Sequence, residues 1–511
     1  MNDWTAGYVA DIGYTFGYYL ELNPQRVKLV FNSAGLVCPE FGTACELGFG
    51  QGLSTNIHAA ASVVQWSGTD FNPAQAGFAQ ELASVSGADA KLFDQAFADF
   101  ATRADLPDFD YIGLHGIWSW ISDENRAVIV DFIRRKLKVG GVLYISYNTQ
   151  PGWATMVPMR DLLTQHAEVM GASGHGIVPR IDAALSFADK LFATNPAYTK
   201  ANPQVVGKVE AIKGQNRNYV AHEYFNRDWK PMSFAAMAEW LQPAKLDYAC
   251  SANFIDFVDG VNLTPEQQAL LKEIPDTLFR QSVRDFMVNQ MFRKDYWVKG
   301  ARKLSLIEQG ESVRSQRVML ISHRPDVSLK FNAAMGEATM SEAIYAPILD
   351  TLADHKPKTI GQIEHAVKDK GIAFAQLNQA ILVLGGAGHL VVVQTDADTA
   401  KAKKRTEKLN THLVNKARSS GDITYLASPV TGGGVSVSRF QQLFLMAYVL
   451  GKKQPAEWAA FAWQMISTQG QKIVKTGAML QTPEENLAEL NEQAQAFATK
   501  QLAVMKALQI I

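Results

Sequence analysis

At 511 residues the chain is too long for one compact core and predicts two to four domains of roughly 100 to 200 residues each. Its 47% hydrophobic and 19% charged residues match ordinary globular proteins and exclude a disordered or fibrous chain. The 49 basic and 50 acidic residues leave a formal net charge of -1, so bulk electrostatics draws the chain to neither nucleic acid nor an anionic membrane.

The N-terminal stretch MNDWTAGYVADIGYTFGYYL carries Asp3 and Asp11 but no Lys or Arg ahead of an apolar run, so it does not read as a signal peptide. From Thr43 to Thr149, short apolar runs alternate with helical ones. Strands are expected at 43–47, 63–70, 90–97, 109–115 and 141–147, and helices at 53–61, 73–86 and 123–137. That rhythm predicts a Rossmann-like, doubly wound α/β sheet. After Pro151 and Gly152 it changes to a helical insertion over about 155–215, broken by GASGHG (171–176), Pro196 and Pro203. A strand at 219–226, a helix at 232–241 and a strand at 246–254 then return to the far edge of the sheet, giving a catalytic core of 1–260.

Residues 262–300 read as helical, within a middle domain of 261–395. There, three helices over 344–393 followed by an apolar strand form a winged-helix-like segment. A mostly helical C-terminal domain, 396–511, opens with KAKKRTEKLN, turns at Gly432, Gly433 and Gly434, and closes on helices over 483–508. The most apolar stretches, 382–393 and 443–450, are shorter than the ~18 residues a membrane span needs. Cys38, Cys45 and Cys250 show neither metal-ligand spacing nor a disulfide framework, so no metal is expected and the reducing cytoplasm is the expected compartment.

The chemistry begins at ELGFGQG (46–52). A strand ending in Glu46 runs into Gly48, Gly50 and Gly52 and then a helix, the turn in which a backbone approaches a ligand where a Cβ would clash. A dinucleotide fingerprint needs G-x-G-x-x-G; here the third glycine comes one residue early and Leu53 stands in its place. An acidic residue before G-x-G-x-G suits the amino-acid part of S-adenosylmethionine (SAM), whose ammonium Glu46 or exposed carbonyls can meet. Asp70, in GTDFNP with Phe71 beside it, closes the next strand, where a carboxylate accepts both hydroxyl protons of a ribose or else caps the following helix. Asp99, with Asp94 as rival, is the candidate acceptor for the adenine amino group.

LHGIWSW (114–120) leaves the fourth strand at its C-terminal end, the ligand side of an open α/β sheet, and presents His115 and Trp118. SYNTQPGW (146–153) presents Tyr147, Asn148 and Trp153, and HEYFN (222–226) adds His222 and Tyr224. Aromatic rings around a sulfonium or ammonium attract it by roughly 0.5 to 2 kcal/mol each, although the same rings also serve as core.

These motifs, with GYTFGYY (13–19), FDYIGLHGIWSW (109–120), AHEYFN (221–226) and VRDFMVNQMFRKDYWVKG (283–300), resemble the SAM-dependent methyltransferases that carry a methyltransferase regulatory domain. That family includes bacterial protein lysine methyltransferases acting on an outer-membrane protein. The chain departs from it in carrying Phe49 within the glycine turn and in lacking the prolines of the family's N-terminal motif. The resemblance implies that Gly48, Gly50, Gly52 and Asp70 hold SAM, with Tyr14, His115, Tyr147, Asn148 and Trp153 around the active site.

Methyl transfer is an in-line displacement, so the expected enzyme aligns nucleophile, methyl and sulfur and excludes water. A lysine nucleophile must lose its proton, with a Tyr or His expected to take it. The expected partner is a lysine-bearing polypeptide, with oligomeric state left open, a homodimer included. Two alternatives stand beside this. One is a small-molecule methyltransferase; the other is a SAM-binding or DNA-binding regulator using 344–393, although 375–388 contains no basic residue for DNA.

Overall fold

The computed structural model describes residues 5, 7–10, 12–171 and 173–510; Asp3 and Asp11 lie outside the described residues. Its centre is a seven-stranded sheet: β1 (Thr43–Leu47), β2 (Gln65–Thr69), β3 (Lys91–Phe93), β4 (Phe109–Leu114), β5 (Leu137–Asn148), β6 (Leu246–Ser251) and β7 (Phe292–Lys299). The spatial order is β3-β2-β1-β4-β5-β7-β6. The first five strands pair in parallel, whereas β7 runs antiparallel to both β5 and β6. The doubly wound expectation is met.

Local chemistry sets these elements. Strands β1 and β4 and the Gly141–Asn148 part of β5 bury nearly every residue, as parallel strands covered by helices on both faces must. The helix Pro73–Ser86 starts where Asn72 accepts the Ala74 N–H and Pro73 fills the first position, and it stops at Gly87 in the left-handed region. Ser122 caps the helix Asp123–Lys136 in the same way, through the Asn125 N–H.

Three expectations are corrected. The stretch 219–226 is not a strand: the helix Arg217–Tyr224 occupies it, capped by Asn216 and laid against the core of the insertion. Residues 262–300 are not helical throughout, because Phe292–Lys299 is the strand β7 that joins β5 to β6. The sheet therefore closes at Lys299 and not near residue 260, since its last-placed strand comes from the segment assigned to the middle domain.

The insertion has its own core, in which Met159, Leu163, Ile181, Leu185 and Val209 are buried. Beyond the sheet, the helices Glu342–Leu352, Ile360–Ala366 and Phe374–Gly386 pack by a three-stranded sheet whose centre is Arg317–Leu320, flanked by Lys358–Thr359 and Leu390–Val392. The long helix Asp396–Lys416 lies on the helices Leu53–Ala61 and Pro73–Ser86. Among the described residues, no helix is long and apolar enough to cross a membrane.

Candidate active site

The carboxyl ends of β1, β2 and β4 open into one cleft, roofed by Tyr8, Tyr14, Thr15, Gly17 and Tyr19 and by His222 and Glu223 of the helix Arg217–Tyr224. Its floor is the turn after β1, where the Gly48 and Phe49 N–H groups donate to the Thr69 carbonyl. Gly48, Gly50 and Gly52 have φ of +73°, +57° and +67°, a region that side chains disfavour. A Cβ on Gly48 would lie 2.4 Å from Ile117, and one on Gly52 2.4 Å from the Ala79 Cβ; on Gly50 the nearest atom would be 3.8 Å away. Packing thus demands Gly52, positive φ calls for glycine at Gly48, where the Ile117 side chain can give, and Gly50 leaves open space beside its Cα.

Asp70, just past β2, accepts the Gly50 N–H at 2.9 Å and the Asn72 N–H at 3.0 Å. Burial pushes its carboxyl up to about 7. Glu46, at the end of β1, accepts the Thr55 hydroxyl; burial, with Asp70 adding a like charge, pushes it up to about 8. From the roof, Tyr14 donates its hydroxyl to Glu223 at 3.1 Å, and burial raises Glu223 to about 7.

His115 leaves β4 stacked on Tyr19, with ring centroids 3.7 Å apart, and its Nδ1 bonds the Tyr144 hydroxyl at 2.7 Å. Burial holds His115 down at about 3, so the imidazole is neutral near pH 7. His222 bonds the Ile12 carbonyl at 2.9 Å and sits edge-on to Tyr14. Tyr8 packs edge-on against Phe71.

Of the residues singled out from the sequence, Tyr14, Glu46, Gly48, Gly50, Asp70, Phe71, His115 and His222 line the cleft, and Gly52 packs beneath it. The others do not meet there. Trp118 turns into the core beside the Met232 sulfur, and Tyr147 is fully buried, donating to Asp295 at 2.9 Å. Asn148 is buried with its N–H on the Ser119 hydroxyl, while Trp153 and Tyr224 pack on each other in the insertion. Asp94 and Asp99 are exposed, and Gln95 and Phe97 reach the cleft instead.

Residues the motifs did not single out as site residues include Tyr8, Tyr19, Trp120, Glu223 and Asp228. Trp120 donates its indole N–H to the Glu223 carbonyl at 3.1 Å. The quoted motifs GYTFGYY and AHEYFN contained Tyr19 and Glu223, but nothing in a linear motif tells which of several aromatic or acidic neighbours turns inward.

A sheet in this order, with a glycine turn after its first strand and a carboxylate after its second, defines a Rossmann-like methyltransferase fold. A family model described as "Predicted methyltransferase regulatory domain" matches residues 216–299. An uncharacterized protein of Synechocystis sp. is 37% identical over 99% of both chains, and an uncharacterized Rickettsia prowazekii protein is 26% identical over 54% of this chain and 49% of its own. The solved structure of PKMT2 from Rickettsia typhi in complex with AdoHcy superposes with a TM-score of 0.68 at 18% identity, over 97% of this chain and 99% of that one, which establishes a shared fold. The chain belongs to one family with the Synechocystis protein, and its residues 216–299 match the methyltransferase regulatory domain.

Proposed function

We propose that the chain binds SAM in this cleft and transfers its methyl group to the ε-amine of lysine in a protein, in the cytoplasm. One observation carries the reading. Glu46, Asp70, Glu223 and Asp228 line the cleft, and among its described lining residues there is no Lys or Arg. Such a site disfavours phosphate and attracts cations. SAM brings a sulfonium and an ammonium, and a lysine acceptor brings a third positive group. The lysine acceptor also follows the family resemblance.

The residues present fit SAM as co-substrate. The open approach at Gly50 admits its backbone contact, Asp70 accepts from a ribose, and Gln95 and Phe97 stand where an adenine would lie. Bound there, SAM supplies an activated methyl group. The chain's own work is alignment and water exclusion, to which the rings of Tyr8, Tyr14, Tyr19 and His222 lining the cleft contribute.

Purified protein incubated with methyl-labelled SAM and a bacterial lysate tests this. Label should enter polypeptide and map to lysine. Label confined to low-mass material would instead establish the small-molecule reading.

A further inference from the structure

The segment matched as a regulatory domain, 216–299, is not set apart from the catalytic sheet. It contributes β6 and β7 to that sheet and the helix Arg217–Tyr224 to the cleft's roof. This brings two carboxyl groups to the cleft, Glu223 and Asp228; Asp228 is paired with Arg227 at 3.3 Å, whereas Glu223 is held by a tyrosine of the roof.

We propose that Glu223 is the catalytic residue that docks the acceptor's ammonium and takes its proton before methyl transfer. The proposal rests on the lysine reading above. Geometry singles the residue out by removing its rivals. Asp70 spends both oxygens on backbone N–H groups, and Glu46 is held by Thr55 at the glycine turn. His115 and His222 are both pushed down by burial, so neither holds a proton well near neutrality. Burial pushes the hydroxyls of Tyr8, Tyr14 and Tyr19 up, so they stay protonated and serve as donors. The histidines and tyrosines expected from the sequence to take the proton are therefore poor bases here.

Glu223 lines the cleft, and Tyr14 fixes one of its oxygens. The groups facing it are Tyr8, Tyr14 and Tyr19 on the roof and Tyr219 and Tyr224 on its own helix, and Tyr8 also feels Asp70. With its carboxyl raised to about 7, it takes a proton far better than an ordinary glutamate, and about half of it is charged near neutral pH.

The ammonium gives one proton to the Glu223 carboxylate, which leaves a lone pair on nitrogen. That pair bonds to the methyl carbon while the carbon–sulfur bond breaks and its electrons stay on sulfur. The methylated amine leaves as an ammonium, and Glu223 releases its proton to water.

The test compares wild type, Glu223→Gln and Tyr14→Phe as full chains, with lysate protein as acceptor. Calorimetry gives SAM affinity, and labelled transfer to lysine gives kcat across pH. Glu223→Gln should bind SAM as wild type does, lose about 10²- to 10⁴-fold in kcat, and lose the acid limb near pH 7. Tyr14→Phe removes the hydrogen bond that favours the charged carboxylate, so its acid limb should move to higher pH. Lysine labelling by wild type with an unchanged rate and acid limb in Glu223→Gln would overturn the assignment and leave the lysine reading standing. No lysine labelling by wild type would overturn both. Should Glu223→Gln lose SAM binding, Glu223→Asp decides: recovery of binding and part of the rate supports the assignment, and recovery of neither overturns it.

Discussion

Asp70 and Glu46 stand on neighbouring parallel strands, buried, with nothing cationic among the causes that shift them. Each binds its proton more tightly in the folded chain than in the unfolded one, where the ordinary values are 3.8 and 4.5. Stability contributed by this pair therefore falls as pH rises from about 4 to about 8, opposite to the usual salt-bridged carboxylate. A cationic ligand reverses the preference by favouring the charged forms. SAM affinity should accordingly rise about tenfold between pH 6 and pH 8, as Asp70 deprotonates through about 7. Asp70→Ala should weaken SAM by about 1.5 to 3 kcal/mol, the worth of hydrogen bonds to a charged acceptor, and flatten that rise. Titration calorimetry at both pH values checks each; wild-type affinity in the variant would sink the assignment of Asp70. The sequence located this residue because a strand end and a GTDFNP turn are local features. It singled out Asp99, which is exposed on the helix Phe97–Ala101, and not Gln95 or Phe97, which line the cleft, because only the fold decides which side chains after β3 point inward.

At the scale of elements, the glycine turn is a packing device as much as a ligand loop. Gly52→Ala combines left-handed strain of roughly 1 to 2 kcal/mol with a Cβ driven onto Ala79 of the helix Pro73–Ser86, whose Cα stands only 3.3 Å away. Gly116 has the same φ of +67° but nothing within 4 Å of its added Cβ. Thermal unfolding should therefore show a larger loss for Gly52→Ala than for Gly116→Ala; equal losses would mean that strain alone, and not the Ala79 contact, sets the need for glycine. From Thr43 to Asn148 most elements were legible because strand and helix periods alternate at short range, although the strand expected at 90–97 is only Lys91–Phe93 and gives way to the helix Phe97–Ala101. The helix Arg217–Tyr224 was not, since Tyr, Val and Phe favour strands until the Asn216 cap and the insertion core override them. Strand β7 was hidden too, because its partner β5 lies more than a hundred residues upstream and no sequence window contains both.

At the scale of the whole molecule, the three sections share one continuous core that runs from Tyr18 to Ile510. The helix Leu53–Ala61 shows why: all its residues are buried, although a helix on the outside of a doubly wound sheet ordinarily keeps a wet face. The helix Asp396–Lys416 covers that face. Gln394 donates to the Ala61 carbonyl at 2.8 Å, Arg405 to the Ser62 carbonyl at 2.5 Å, and Lys416 pairs with Glu81. The C-terminal section also reaches the cleft's roof, because the Tyr18 hydroxyl accepts the Gly434 N–H at 2.7 Å one residue before the ring that stacks on His115. A chain cut after residue 395 would expose the apolar side of Leu53–Ala61 and strand buried polar groups, each costing about 1 to 3 kcal/mol. Such a chain should aggregate or lose cooperative unfolding, as size-exclusion chromatography and circular dichroism would record. If it instead stayed monomeric and bound SAM as tightly as the full chain, the C-terminal section would be an appendage, and the roof of the cleft would stand without it.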